Sequence, residues 1–302
     1  MTSLTIRAHA KINLDLRMLG TRPDGFHELR TVFQALVLHD VLTVIPRPGA
    51  FALECTAPGV PLDRTNLIWQ AAERLWRALR RQGDPVDVLV RLDKRIPMEA
   101  GLGGGSGNAA AALLALGRLW HPGLSPSQLS DVAGTLGSDV PFFLEGGTAL
   151  GLGRGEDIYP LADLPRQWVV LLMPGFGVSS REAYRWYDAD AAAGRLAARP
   201  EQRMPGSWPA RAARMVNDLE GPVARRHPDI DRMCDALRQA GARVAAMTGS
   251  GSTVYGLFAG KAEAGAAMRA MAREPWRAVL TSTLDRVAYA LASRPRSGRT
   301  SG

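Results

Sequence analysis

The chain has 302 residues, 46% hydrophobic and 22% charged, with 37 Lys and Arg against 29 Asp and Glu for a formal net charge of +8. At that length one core normally splits, so two domains are expected, and the composition excludes a disordered or fibrous chain. Cys55 and Cys234 are the only cysteines, which excludes a disulfide framework and a cysteine metal cluster and fits a reducing cytosol. No apolar run reaches the roughly 18 residues of a spanning helix, and residues 1–7 lack a signal-peptide pattern, so a cytoplasmic protein without a membrane partner is expected. Much of the positive charge lies in an Arg/Ala/Pro-rich stretch (Arg195, Arg199, Arg203, Arg211, Arg214) and at Arg294, Arg296 and Arg299. Without aromatic interleaving or a nucleic-acid motif this reads as solvated surface, so no nucleic-acid partner is expected; a smaller share is left to steer an anionic substrate.

From the N-terminus, residues 4–18 put an apolar side chain at every even position, from Leu4 and Ile6 to Leu16 and Met18, while Arg7, His9, Lys11, Asn13, Asp15 and Arg17 take odd ones. A period of two is a strand with one face in a core and the other lining up Lys11, Asn13 and Asp15, either as solvated edge charges or as part of a site. In TRPDGFHEL, residues 21–29, the Pro-Asp-Gly turn presents Phe26 and His27. Those two rings suit a planar heterocycle; the alternative is a loop anchored by a buried Phe. Strands are expected at 31–38, 41–45 and 51–55, then an amphipathic helix after Thr65 with Asn66 at its start placed to meet a ligand.

Residues 86–92 alternate as another strand and deliver Asp93, Lys94 and Arg95 to the stretch that organises the chain, PMEAGLGGGSGNAAAA at 97–112. Gly101, Gly103, Gly104, Gly105, Ser106 and Gly107 empty straight into a helix over 106–120. Free backbone amides and a positive helix end then close on an anion, naturally a nucleotide phosphate; the alternative is a glycine hinge. The stretch lacks the Gly-Lys-Ser/Thr ending of a Walker A loop, and a dinucleotide fingerprint wants an acidic residue about 20 residues on, at the end of a strand. A second helix is expected over 127–136. In GSDVPFFL, residues 137–144, Asp139 precedes a wholly apolar run, an expensive place for a carboxylate unless it is paired or working. Lys11 is its obvious partner, and a turn or N-cap role the alternative.

After the glycines of 146–155 the composition changes, and the domains are expected at 1–160 and 161–290 with a disordered tail at 291–302. The second half reads as a buried strand at 168–173, a helix opened by Ser179 and carrying Tyr184, and a surface excursion over 190–214. Then follow a helix at 228–239, a strand at 243–247, the turn TGSGS at 248–252, a strand at 254–258, a helix at 261–273 and a strand near 276–280. That alternation suits a split βαβ sandwich.

Residues 97–112 and 247–258 resemble the second and third signatures of the galactose, homoserine, mevalonate and phosphomevalonate kinase superfamily. AKINL (10–14), RPDGFHEL (22–29), TNLIWQAA (65–72), DKRIPM (93–98), GSDVPFF (137–143) and NDLE (217–220) together resemble the family of 4-diphosphocytidyl-2-C-methyl-D-erythritol kinases. The resemblance covers residues 4–285. It implies an α+β fold of two domains, an N-terminal half like the second domain of ribosomal protein S5 and a ferredoxin-like C-terminal half, with the site between them. It also implies transfer of the ATP γ-phosphoryl group, with Mg2+, to a hydroxyl of the cytidine-diphosphate-linked methylerythritol in the non-mevalonate isoprenoid route.

On that resemblance Asp139 is the base that orients the hydroxyl, Lys11 neutralises charge beside it, and Asn13 supports both. Pro97, Gly101, Leu102, Gly103, Gly104, Gly105, Ser106 and Gly107 hold the ATP phosphates; Asn66 and Lys94 lie near adenosine. Gly249 and Ser250 close from the second domain. His27 meets the cytosine edge, and Phe26 and Tyr184 stack on its faces. Gly107 stands where relatives carry a second Ser that can meet magnesium, so the metal ligands stay open, and Phe26 replaces a usual Tyr. The competing readings are another kinase of the superfamily, of homoserine or mevalonate type, and a catalytically silent nucleotide- or RNA-binding protein; the partner count is left as monomer or homodimer.

Overall fold

The computed structural model describes residues 2–196 and 216–298. Two strands, β1 (Ser3–Thr21) and β2 (His27–Ala50), form an antiparallel hairpin that runs through the molecule. The strands expected at 31–38 and 41–45 are one continuous β2. It pairs through Thr31–Gln34 with β5 (Thr148–Leu152) and through residues 41–50 with β4 (Val86–Asp93). With β3 (Ala52–Cys55) parallel to β4, and β6 (Asp157–Pro160) beside β5, these are six strands of the first, seven-stranded sheet.

Helices α1 (Leu67–Ala78), α2 (Gly104–Trp120) and α3 (Pro126–Leu136) cover that sheet; a single turn, α4 (Phe142–Glu145), follows Asp139. Ala109, Ala110, Ala111 and Ala112 are all buried, and their short side chains let α2 lie close against Ile6, Ala8 and Phe33. That close packing is what fixes the N-terminus of α2 beside β1.

The second sheet has the order β10 (Arg277–Ser282), β7 (Trp168–Met173), β9 (Val254–Phe258), β8 (Val244–Met247), all neighbours antiparallel. Between β7 and β8 come α5 (Ser180–Ala192), α6 (Glu220–Ala224) and α7 (Asp229–Gln239), and between β9 and β10 comes α8 (Lys261–Ala270). A βαββαβ unit with its first and third strands central is the ferredoxin-like arrangement, as expected. Met233, Leu237, Val254, Phe258, Ala264 and Ala267 make its core.

One strand serves three cores. Leu4, Ile6 and Ala8 of β1 pack under α2; Ala10, Ile12 and Leu14 pack against Val169, Leu171 and Tyr255 of the second sheet; Leu16 and Met18 join the core of α6 and α7. The odd-numbered face is buried as well, with Lys11, Asn13 and Asp15 each 3–5% exposed. Register shifts between His9 and Lys11 and between Asn13 and Asp15 turn the strand, and the second half of the chain covers the face that a lone strand would leave in water. The solvated-edge alternative for Lys11 is thereby corrected.

Two further expectations are corrected. The tail is ordered as far as Gly298: α9 (Arg286–Ala292) buries Tyr289 in the first core, its hydroxyl donating to the Phe143 carbonyl at 2.6 Å, and β11 (Arg296–Gly298) pairs with Ser3–Thr5 of β1. Burial of the Tyr289 ring and a strand edge on β1 open to pairing outweigh the polar composition beyond them. The excursion over 190–214 begins as structure, because Asp190 is fully buried and takes Arg195, Arg225 and Arg226 at 2.8, 2.6 and 2.9 Å. The Arg226 guanidinium, with Arg195 and Arg225 beside it, holds that carboxyl far below the usual carboxylate range. Arg199, Arg203, Arg211 and Arg214 lie outside the described residues.

Candidate active site

The two halves enclose a cleft of about 1130 Å³, lined by β1 and the 97–106 loop on one side and by α5 and the 249–250 turn on the other. Its centre is Lys11. The Lys11 Nζ donates to Asn13 Oδ1 at 2.6 Å and to the Gly101 carbonyl at 2.9 Å, and stands 3.3 Å from Asp139 Oδ2. Three donors meet three acceptors, so the ammonium is fixed in direction. Asp139 is about one-third exposed, opening into the cleft.

Asn13 is what aims it. Its Nδ2 donates to Thr31 Oγ1 at 2.7 Å, and its backbone N–H donates to Thr248 Oγ1 at 2.9 Å. That second bond crosses from β1 to the second half of the chain, where Asn217 Nδ2 holds the 247–249 turn by donating to the Met247 and Gly249 carbonyls at 2.9 and 2.7 Å. The Asn13 side chain thus lines the cleft with its Oδ1 on Lys11 and its Nδ2 on Thr31.

The glycine loop ends in α2 without a cap. Gly103 occupies the N-cap position at φ 67°, no side chain bonds the first turn, and the first intrahelical bond is Gly107 N–H to the Gly103 carbonyl. The amides of Gly104, Gly105 and Ser106 are left without helical partners at the edge of the cleft. Side chains do not fit there: a Cβ on Gly101 would run into the Thr248 carbonyl, and one on Gly103 would lie 2.8 Å from Phe143 and 2.9 Å from the Lys11 chain. A cradle with open amides, no acid in the first turn and Lys11 beside it suits phosphate. Gly107 does not line the cleft. A Cβ there would sit 2.7 Å from the His9 carbonyl, so helix and strand are too close for the serine expected at that place.

Asn66 and Lys94 reach the cleft, but both are engaged. Asn66 caps α1 through Ile68 N–H and donates to the Pro61 carbonyl at 2.7 Å, shaping an apolar end lined by Val60, Pro61, Leu67, Pro97 and Met98. Lys94 Nζ is 2.5 Å from Oδ2 of Asp40, a fully buried carboxylate whose Oδ1 accepts the Arg95 and Ile96 N–H groups at 2.6 and 2.8 Å. Asp40 was missed because an acid inside a strand gives no signal until its three donors converge.

At the other end the His27 ring stacks on Tyr184, centroids 5.2 Å apart at 14°, and His27 Nε2 lies 3.2 Å from Asp188 Oδ1. Burial, helped by the nearby charge of Asp139, pushes the Tyr184 phenol well up. Phe26 stands out at the mouth, more than half exposed, with the Arg154 guanidinium 5.2 Å from its ring centroid. The expected trio is together, though His27 and Tyr184 lie on each other. Ser250 meets Ser180 on the α5 wall, Oγ to Oγ 3.2 Å. Arg154, Arg181, Arg185, Asp188 and Thr248 were also missed; the 181/185 spacing was the one available signal.

Among the described residues, no group of three or more His, Cys, Asp or Glu side chains is arranged to hold a metal ion. Asn108 Oδ1, buried at the cleft edge of α2, has no hydrogen-bond partner there. No described helix is long and apolar enough to cross a membrane.

Residues 66–147 match the GHMP kinases N terminal domain, and residues 204–278 match GHMP kinases C terminal. The 4-diphosphocytidyl-2-C-methyl-D-erythritol kinase of Solibacter usitatus is 45% identical over 260 residues, 84% of this chain and 80% of that protein. That of Moorella thermoacetica is 42% identical over 86% of this chain and 91% of its own length. A crystal structure of 4-(cytidine 5'-diphospho)-2C-methyl-D-erythritol kinase superposes with a TM-score of 0.74 at 36% identity, covering 92% of this chain and 98% of that one. The mevalonate kinase of L. major, at 14% identity and a TM-score of 0.69, shares the fold. With the uncapped loop, the Lys11–Asp139 pair and the two-sheet architecture all in the expected order, the chain belongs to the GHMP kinases, in the family of the 4-diphosphocytidyl-2-C-methyl-D-erythritol kinases.

Proposed function

We propose that the chain transfers the γ-phosphoryl group of ATP to a free hydroxyl of 4-diphosphocytidyl-2-C-methyl-D-erythritol, a step of non-mevalonate isoprenoid precursor synthesis in the cytoplasm. The observation that carries this is the Lys11–Asp139 pair, 3.3 Å apart, with the phosphate loop against Lys11 and the His27–Tyr184 end within electrostatic reach of Asp139. Phosphoryl transfer asks the protein for alignment, charge neutralisation and a destination for one proton.

Asp139 holds the alcohol and takes its proton as the new oxygen–phosphorus bond forms and the bond from the γ-phosphorus to the β-phosphate oxygen breaks, releasing ADP. Lys11, aimed by Asn13, faces the charge that spreads over the transferring oxygens. The amides of 104–106 hold the phosphates, while Asn66, Lys94 and Pro97 border the adenosine end; Gly249 and Ser250 close the far side. His27, Tyr184 and Phe26 take the cytosine.

When bound, Mg2+ would supply neutralisation of the charge on the phosphate oxygens. The donor set fits such an ion: among the described residues lining the cleft, Asp139, Ser106 and the Asn108 Oδ1 are those that would hold it. We read the net positive charge as steering for these anions and assign no nucleic-acid role.

The test is ADP release with Mg-ATP, offering the cytidine-linked alcohol, homoserine and mevalonate in turn, to wild type and Asp139→Asn. Release with the first alone, and its loss in the variant by at least 10²-fold, is the expected result. Release with homoserine or mevalonate would keep the phosphate loop and overturn the cytosine assignment; an undiminished Asp139→Asn would remove Asp139 from the chemistry.

A further inference from the structure

Helix α5 turns Arg181, Tyr184, Arg185 and Asp188 to the cleft, a spacing of three, four and seven that forms one face. Its charges are not balanced. Of the cations lining the cleft, Lys11, Lys94 and Arg154 each have a carboxylate within reach, Asp139 at 3.3 Å, Asp40 at 2.5 Å and Glu156 at 2.9 Å. Among the described residues Arg181 and Arg185 form no ion pair, although, after the hydrogen bonds from Ser179, the charge of Arg185 helps to lower the Glu182 carboxyl. The acids nearest them on the helix are committed elsewhere: Glu182 closes the capping box with Ser179, and Asp188 faces His27. Two like charges one helical turn apart disfavour the helix that carries them, and a bound anion removes that penalty.

We propose that Arg181 and Arg185 bind the diphosphate that joins cytidine to the alcohol, which rests on the function proposed above. The page places them for it. Tyr184, between them in sequence, stacks on His27 at the base-recognition end and feels the charge of Asp139 at the reaction end. A ligand held at both ends carries its diphosphate past this face. Two guanidiniums match its two negative charges and offer forked donors to phosphate oxygens. The ATP phosphates have their own cradle on the opposite wall, at the N-terminus of α2.

The test titrates cytidine and CDP into wild type and Arg181→Gln/Arg185→Gln by calorimetry, with a non-hydrolysable ATP analogue saturating the nucleotide end. Wild type binds CDP at least 10-fold more tightly than cytidine; in the double variant the ratio falls to about 2-fold or less with cytidine affinity unchanged. In turnover, the variant raises KM for the cytidine-linked alcohol at least 10-fold and leaves KM for ATP in place. A ratio unchanged in the variant overturns the assignment of the arginines, and so does a rise confined to KM for ATP. Wild type that binds neither cytidine nor CDP overturns the cytosine reading itself. Thermal melting of the variant at the wild-type temperature keeps misfolding out of the comparison.

Discussion

On the β1 side of the cleft both lysines are enclosed and held: Lys11 by Asn13, Gly101 and Asp139, and Lys94 by a buried Asp40 that also ties down two backbone amides. On the α5 side Arg181 and Arg185 are exposed and Asp188 is 57% exposed. The first wall costs desolvation and gains direction, because groups with all their donors used cannot turn. The second gives up direction and keeps its ion pairs weak enough to exchange for a ligand. Groups that face developing charge are built in the first manner and groups that grip substrate in the second.

The contrast breaks most visibly at Lys11. Lys11→Met removes the ammonium from the transfer wall, and turnover should fall about 10³-fold, ~4 kcal/mol in barrier, with KM for both substrates moving far less. A loss of only a few-fold, read by ADP release, would mean that the fixed ammonium contributes packing alone.

His9 lies on the same strand, buried, its Nδ1 2.9 Å from the Leu36 carbonyl. Burial, reinforced by the neighbouring His39, lowers its pKa from 6.5 to about 4. The unfolded chain therefore takes the proton first, and stability falls as pH drops from 6.5 towards 4. The whole fall is about 3 kcal/mol, and above that window the group contributes its full stabilisation. Urea midpoints measured against pH for wild type and His9→Gln should diverge in that window; parallel curves would mean that the buried strand face takes up the charge freely.

Asp40→Asn keeps acceptors for the Arg95 and Ile96 amides and removes the charge beside Lys94. It should cost about 2 kcal/mol of stability and raise KM for ATP more than KM for the alcohol. An unchanged unfolding midpoint would mean that Lys94 finds water as good a partner. Asp188→Asn sharpens the comparison from the other side, since an exposed pair of this kind should change stability by less than ~0.5 kcal/mol. A larger loss would place α5 with the rigid wall.

The elements that position the site were readable because they are local. Alternation along 4–18, the run of glycines into alanines and the cap at Ser179 each follow from neighbours in sequence. What escaped is made by distant partners. Asp40 is an unremarkable acid until Lys94 arrives, and nothing beside Asn13 in sequence foretells its bonds to Thr31 and Thr248. Gly107 reads as a missing serine until the His9 carbonyl is found 2.7 Å from where its side chain would start. Period-two patterning shows that a strand has a polar face and says nothing of what later covers it.

The ring of Tyr184 rests on His27, nearly parallel to it. A cytosine that stacks on Tyr184 exchanges one aromatic face for another, so the protein contributes little newly buried apolar surface of its own. The heat-capacity change on binding should then reflect the surface of the base alone, and be smaller than three converging rings would lead one to expect.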